Sequence, residues 1–374
     1  MRKLLTTAVA VALLGMGVSS VHASSSPIQA VVEATPTFVG GGTFSGGTTT
    51  DNVAQYGDDT AGAELAGLVH SYELGVATLN NVDTFAGQII TNAPTVVGGT
   101  YDGTKQYAPD SLYGLARAGQ ATGNASYSGE VTSYFNYVSA TYGVSGPGGQ
   151  ADYYASGNVG TGVSNPDPFG IYELSNAVLA ANLVGHADAT AYRDGLATAL
   201  GSLNVATFAG NTQAQNFGTS PTEALAIGIY ALATTGSGGT TGSGGTYANE
   251  SLLQLRSSLL GLLVNPDGSQ GFVSGETGST ALVEDLAYGI LALQALDARL
   301  GTDDTTLITS LQNALAAAVG ADGAGTVPFD LANTGTTASA QFAGAALQAL
   351  PEPATLSLLG LSAMGLLARR RRQA

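Results

Sequence analysis

Residues 223–232 read Glu-Ala-Leu-Ala-Ile-Gly-Ile-Tyr-Ala-Leu, and residues 284–293 read Glu-Asp-Leu-Ala-Tyr-Gly-Ile-Leu-Ala-Leu. The two runs match at a shift of 61, and Ala292-Leu-Gln-Ala-Leu296 returns as Ala346-Leu-Gln-Ala-Leu350 at a shift of 54. Asn81-Val-Asp-Thr-Phe-Ala-Gly-Gln88 returns as Asn204-Val-Ala-Thr-Phe-Ala-Gly-Asn211. Self-similarity at such periods marks a stack of small supersecondary units. Related segments begin near Glu64, Asp110 and Glu173. The spacing therefore predicts six small-residue-rich helices, centred near 67, 115, 178, 228, 290 and 344.

These helices are apolar nearly all round, so they should be buried on most sides. More polar helical runs alternate with them at Asp83–Asn92, Tyr127–Tyr142, Thr190–Leu203, Asn249–Val264 and Thr305–Val319. In one of these, Leu252, Leu255, Leu259 and Leu262–Leu263 have the spacing of a helix with one buried face. Boundary residues agree with the assignment. Ser220-Pro221-Thr222-Glu223 reads as a capping box with proline at the first helical position. Asp167-Pro168 repeats the N-cap and proline logic, and Gly75, Gly185, Gly236 and Gly320 stand where C-terminal caps belong.

The fold expected is all-α, a closed ring of about six helical hairpins over residues 56–350. An open α-solenoid is the alternative. Gly62, Gly67, Gly114, Gly228, Gly289 and Gly344 would let the inner helices approach closely. Gly236–Thr246 (GSGGTTGSGGT) reads as a flexible surface loop between an inner and an outer helix, and Ser24–Gln55 as a flexible Gly/Thr-rich lead-in. Val264-Asn-Pro-Asp-Gly-Ser-Gln-Gly-Phe272, leading into Thr280–Leu296, resembles the Asp-Gly loop-plus-helix repeat of the terpenoid cyclase and prenyltransferase α/α toroid. Tyr101-Asp-Gly and Ala321-Asp-Gly are fainter echoes. The family's Asp-x-Asp-Asp acid motif is absent, as are tryptophan and cysteine. The resemblance thus implies the fold and not cyclase or zinc prenyltransferase activity.

Both ends of the chain read as targeting segments. Met1–Ala23 has a basic start at Arg2 and Lys3, an apolar core from Leu4 to Val18, and Val21-His22-Ala23 as a small-x-small cleavage site. At the other end, Pro351-Glu352-Pro353 precedes an apolar run of 14 residues, Ala354 to Leu367, and then Arg369-Arg370-Arg371-Arg372. A comfortable membrane span needs roughly 20 apolar residues, and the prolines stop a helix from running in from upstream. The string LPEPATLSLLGLSAMGLLARRRRQA resembles the PEP-CTERM sorting signal of Gram-negative bacteria. The resemblance implies recognition of Pro351, Glu352, Pro353 and the arginines by a membrane peptidase, exosortase. Removal of the tail and release or surface attachment would follow, often in an exopolysaccharide matrix or biofilm. The alternative is a plain C-terminal anchor. The expected location is the envelope, surface or exterior, with membrane contact through the C-terminal segment before processing.

Composition narrows the chemistry. With no cysteine, thiol nucleophiles, thiolate metal sites and disulfides are excluded. Of 11 basic residues, only Lys105, Arg117, Arg193, Arg256 and Arg299 lie outside the two end segments. Of 27 acids only Glu352 lies within them, leaving 26 against five bases, a body near −21 in net charge. Nucleic acid is a poor partner for such a surface. His70 and His186 are isolated and no metal-ligand spacing is present. No cofactor is expected; the Asn265–Asp267 and Asp322 loops offer oxygen atoms that suit Ca²⁺.

The best catalytic constellation is the set of acids at inner-helix starts: Glu64, Asp110, Glu173, Glu223, Glu284 and Asp285. Two of them, one protonated and one ionised, could act on a glycosidic bond. Tyr101, Tyr107, Tyr153, Tyr154, Tyr172 and Phe272 could form a wall for sugar stacking. Against this, the helix macrodipole favours acids in any first turn. The first expectation is therefore a non-catalytic protein that binds polysaccharide or serves structurally. The second is a glycoside hydrolase or polysaccharide lyase using Glu173, Glu223 and Glu284.

Overall fold

The computed structural model describes residues 60–145, 149–151, 154, 166–208, 219–236, 239–263, 282–319, 327 and 340–350. The expected signal peptide and lead-in, the 351–374 segment, Tyr153, Phe272, Gly320, and the Asn265–Asp267 and Asp322 loops lie outside them. The described chain is mostly helical and contains no strand, only an isolated antiparallel bridge between Thr95 and Lys105.

Twelve helices are described: α1 (Thr60–Glu73), α2 (Leu79–Asn92), α3 (Pro109–Thr122), α4 (Ala125–Tyr142), α5 (Pro168–Leu183), α6 (Ala189–Ser202), α7 (Val205–Phe208), α8 (Pro221–Thr235), α9 (Leu252–Leu263), α10 (Val283–Leu300), α11 (Thr305–Ala318) and α12 (Ala340–Ala349). Two kinds alternate. In α8, 12 of 15 residues are buried, whereas in α2 only Val82, Phe85, Ala86 and Ile89 of 14 residues are. The first pattern has no solvent face, and the second is a single stripe at helical spacing.

Packing follows from that difference. Helices α1, α3, α5, α8, α10 and α12 pack each on the next, and α12 packs on α1. The order closes on itself; an open solenoid leaves its first and last helices apart. Helices α2, α4, α6 and α9 each lie over two consecutive members of this inner set, and α11 lies over α10. Leu65, Leu112, Leu174, Leu225, Ile290 and Ala346, one from each inner helix, are all fully buried. Complete burial of a large aliphatic side chain contributes about 1.5–3 kcal/mol, which is why tertiary packing decides these helices.

The inner glycines set how closely neighbours approach. A Cβ on Gly62 would lie 1.9 Å from the Asp110 carbonyl carbon, and one on Gly344 would lie 2.3 Å from that of Ala63. Gly67 faces the Gly344 carbonyl oxygen and Gly114 that of Gly62, at 2.6 and 2.7 Å from such an atom. The α12–α1–α3 seam is therefore backbone against backbone.

The glycine-rich run after α8 differs from the flexible loop expected of it. Over 239–250 it is bonded to α6 and the residue after it. Gly242 N–H donates to Ala197 O (2.9 Å), Gly245 N–H to Gly201 O (2.9 Å), and Thr246 N–H to Leu203 O (2.8 Å). Cβ atoms at Gly201, Gly242 and Gly245 would meet backbone at 2.3–2.6 Å. Low complexity here serves close docking.

Candidate functional site

Of the acids at the starts of the inner helices, Glu64, Asp110, Glu223, Glu284 and Asp285 are buried, and Asp110 binds the backbone of two of those helices. Asp110, in the first turn of α3, accepts from Gly62 N–H (2.8 Å) and Ala63 N–H (3.2 Å) through Oδ2, and from Ser111 N–H (2.6 Å) through Oδ1. One carboxylate thus satisfies orphan donors at the N-termini of two adjacent helices. Ser220 caps α8, accepting from Glu223 N–H at 2.9 Å while its hydroxyl donates to Asp285 Oδ1 at 2.6 Å. Only half of the expected capping box forms, because the Glu223 side chain turns inward. Ser220→Ala removes both bonds, so a loss of about 1–2 kcal/mol is expected by urea denaturation.

Glu223, Glu284 and Asp285 are each 0 % exposed. Neither carboxyl oxygen of Glu223 meets a hydrogen-bond donor. What stands beside it is the Glu284 carboxyl, with Asp285 near. Burial first, then the charges of Glu284 and Asp285, push the Glu223 carboxyl well above the usual carboxylate range. Both causes favour the protonated form of Glu223. Burial first, then the charges of Glu284, Glu223 and Asp110, push the Tyr288 hydroxyl well above its ordinary value. Tyr172 packs edge-on against Tyr288 at 6.0 Å. Glu64 is buried too, while Glu173 is only half-buried.

The tyrosines named from the sequence separate into three places. Tyr172 is inside the ring. Tyr107 and Tyr154 join a buried cluster over α4: Tyr107 donates to Glu130 Oε2 (3.0 Å), and the Tyr134 and Tyr154 hydroxyls meet at 2.7 Å. Tyr101 is half-buried in a third group, edge-on to the half-buried Tyr137 at 5.5 Å, with Tyr137 edge-on to Tyr142 at 6.4 Å. Tyr142 is 55 % exposed, and Val97 at the tip of the neighbouring loop is 90 % exposed. That loop is held by Val96 N–H donating to Thr104 O (2.8 Å) and Gly98 N–H donating to Asp102 Oδ1 (2.6 Å). Tyr137 and Tyr142 escape notice in the sequence, since five residues apart on a helix end they look like ordinary outer-face positions.

A further chain of polar groups lies at the opposite end of the inner helices. The Tyr113 and Tyr230 hydroxyls meet at 2.9 Å, Arg117 Nη1 donates to Tyr113 (3.4 Å), and Arg117 Nη2 pairs with Glu73 at 2.8 Å. His70 Nδ1 is 3.7 Å from Glu73, and its Nε2–H donates to the Leu350 carbonyl at 3.1 Å. Gln312 Nε2 donates to the Ala349 carbonyl at 3.0 Å. Leu350 itself is 2 % exposed. These bonds satisfy the last carbonyls of α12, which its own helix cannot. His186, by contrast, lies beside Asn136 at 3.3 Å and Asp188. Among the described residues no three of His, Asp and Glu are placed to hold a metal ion, and no helix is long and apolar enough to cross a membrane.

Residues 349–372 match the PEP-CTERM protein-sorting motif. No curated protein and no solved structure matches the chain. The motif makes the chain an exported substrate of exosortase-type sorting, associated with the membrane during that step, with exosortase as its processing partner.

Proposed function

We propose that the ring body is a non-catalytic module of the envelope or extracellular matrix that binds neutral polysaccharide. The observation that supports this most is the role of the first-turn acids. Asp110 and Asp285 each tie one helix start to a neighbour, and Glu223 and Glu284 meet each other with no exposed surface. Their places are explained by capping and by the ring itself.

The surface that suits binding is the Tyr101–Tyr137–Tyr142 group. Sugars offer C–H faces that stack on aromatic rings and hydroxyls that bond to phenols, so tyrosine serves both needs. A body near −21 repels polyanions, which favours a neutral chain. On an array of neutral and acidic bacterial polysaccharides, the processed body should be retained by neutral ones. Tyr142→Ala should weaken that retention roughly tenfold. Silence across the array overturns the binding role. Release of reducing ends by the wild type and not by Glu223→Gln would favour the hydrolase reading instead.

A further inference from the structure

We infer that the ring end formed by the C-termini of the inner helices is a lipid-facing surface, on which the body stands while its tail is attached. The inference rests on the membrane-associated step of sorting and is independent of what the body binds.

The chain leaves the fold at a fixed point on this end. Leu350 is buried, and its carbonyl accepts from His70 in the last turn of α1. Only Pro351, Glu352 and Pro353 separate it from the apolar run that begins at Ala354. Four residues of extended chain reach about 14 Å at most. Helices α1 and α3, of 14 residues each, are about 21 Å long. A membrane that holds the run is therefore within reach of the Leu350 end and not of the other.

The surface of that end has matching chemistry. Among the described residues five large apolar side chains stand exposed, and the three leucines are all here. Leu79 (44 %) opens α2 just past the end of α1, Leu253 (54 %) lies in the first turn of α9, and Leu300 (39 %) closes α10. Arg256, one turn into α9, bonds to Asp304 at the start of α11, which sets the first turn of α9 level with the end of α10. Around the ring, α9 and α10 lie to one side of α12 and α1 and α2 to the other, so the leucines flank Leu350. The α1–α2 turn adds half-buried Leu74 and Val76. Exposed apolar side chains grouped on one face mark an interaction site.

Four of the five body bases also lie toward this end. Arg117 pairs with Glu73, Arg193 with Asp194 and Arg256 with Asp304, while exposed Arg299 stands beside Leu300. Arginines among leucines suit a headgroup layer, which takes an apolar stem and a charged tip together. The tether keeps this small face at high effective concentration against the lipid, so removal of the tail frees it. Val97, Tyr101 and Tyr142, on the α2–α3 loop and the end of α4, stand at the far end, away from the membrane.

The chain contains no cysteine, so single reporter sites are available. Asn80→Cys and Ala298→Cys place a fluorophore on the inferred face, and Val97→Cys and Ala140→Cys place one at the far end; all four positions are exposed. The tail-bearing chain is reconstituted into vesicles of phosphatidylethanolamine and phosphatidylglycerol that carry a headgroup nitroxide quencher. Emission at 80 and 298 should fall several-fold further than at 97 and 140. Equal quenching at the two ends, or stronger quenching at 97 and 140, overturns the inference. So does quenching at 80 and 298 that appears only after exosortase is added, since the partner is then a protein. In the Ala298→Cys chain, Leu79→Ser, Leu253→Ser and Leu300→Ser together should weaken the contact roughly tenfold or more and restore the emission. These leucines are exposed, so the fold is kept, and circular dichroism checks it. Unchanged quenching in that variant overturns the part given to the leucines.

Discussion

Alanine at Gly62 or at Gly344 is expected to unseat the ring. Its Cβ at Gly62 would stand 1.9 Å from the Asp110 carbonyl carbon, 2.1 Å from its oxygen and 2.2 Å from Ser111 N. At Gly344 it would stand 2.3 Å from both the carbonyl carbon and oxygen of Ala63, and 2.5 Å from Glu64 N. All of these are backbone atoms, so no rotamer change relieves the clash. Two helices must separate instead. Overpacking a core by a methyl group usually costs about 1–3 kcal/mol and occasionally more. Here the upper end applies, because moving α3 off α1 also takes Asp110 from the Gly62 and Ala63 N–H groups. About 3 kcal/mol or more is a large share of ordinary domain stability, and Tm should fall by roughly 5–10 °C. Gly129→Ala is the control. That glycine lies on the exposed face of α4 with open space around it, and alanine there should stabilise by up to about 1 kcal/mol. If thermal melting finds Gly344→Ala and Gly129→Ala alike, the α12–α1 seam is not held by backbone contact.

Much of this architecture is legible in the sequence. The repeat around Glu223 and Glu284 predicts the inner helices, and the leucine spacing at 252–263 predicts an outer one, because both signals are local periodicities. Gly62 and Gly344 stand out as small residues, but the partner of each lies across the seam, 48 residues on in one case and nearly the whole ring away in the other. Nothing local announces such a pairing. The same limit applies to the acids. The first turn of α8 holds an acid in any reading, yet whether Glu223 closes its own capping box or turns to Glu284 depends on where α10 lies. The tyrosines show it most plainly: Tyr107 and Tyr172 look equivalent as residues at helix starts, and packing sends one beneath α4 and the other into the ring. The glycine run at 239–250 misleads for a related reason. Composition reports that no side chain is present, and only the α6 backbone beside it explains why. The tail is the easiest part to read, since a sorting label must be recognised as sequence.

Glutamine in place of Glu223 should make the body more stable at neutral pH and flatten its dependence on pH. In the unfolded chain this carboxyl ionises above its ordinary value of 4.5, while in the fold burial and the Glu284 and Asp285 charges hold the proton to much higher pH. The native state therefore binds more protons in that window. Stability falls as pH rises from about 4.5, by about 1.4 kcal/mol for each pH unit per proton, and levels off above the folded value. Glu73 acts in the opposite sense. Its bond to His70 and the charge of Arg117 keep it ionised to lower pH, so its contribution is lost as pH falls. Because both proteins keep Glu73, the difference between wild type and variant isolates the buried pair. The amide that Glu223→Gln introduces is close in size and can donate to a neighbouring carboxylate, so packing is conserved and only the titration is removed. Glu284→Gln removes the largest charge acting on Glu223 and should reduce the slope in the same direction. Urea denaturation from about pH 5 to about pH 8 measures the slopes directly. Parallel wild-type and variant lines would mean that Glu223 is ionised in the fold and that another group balances its charge.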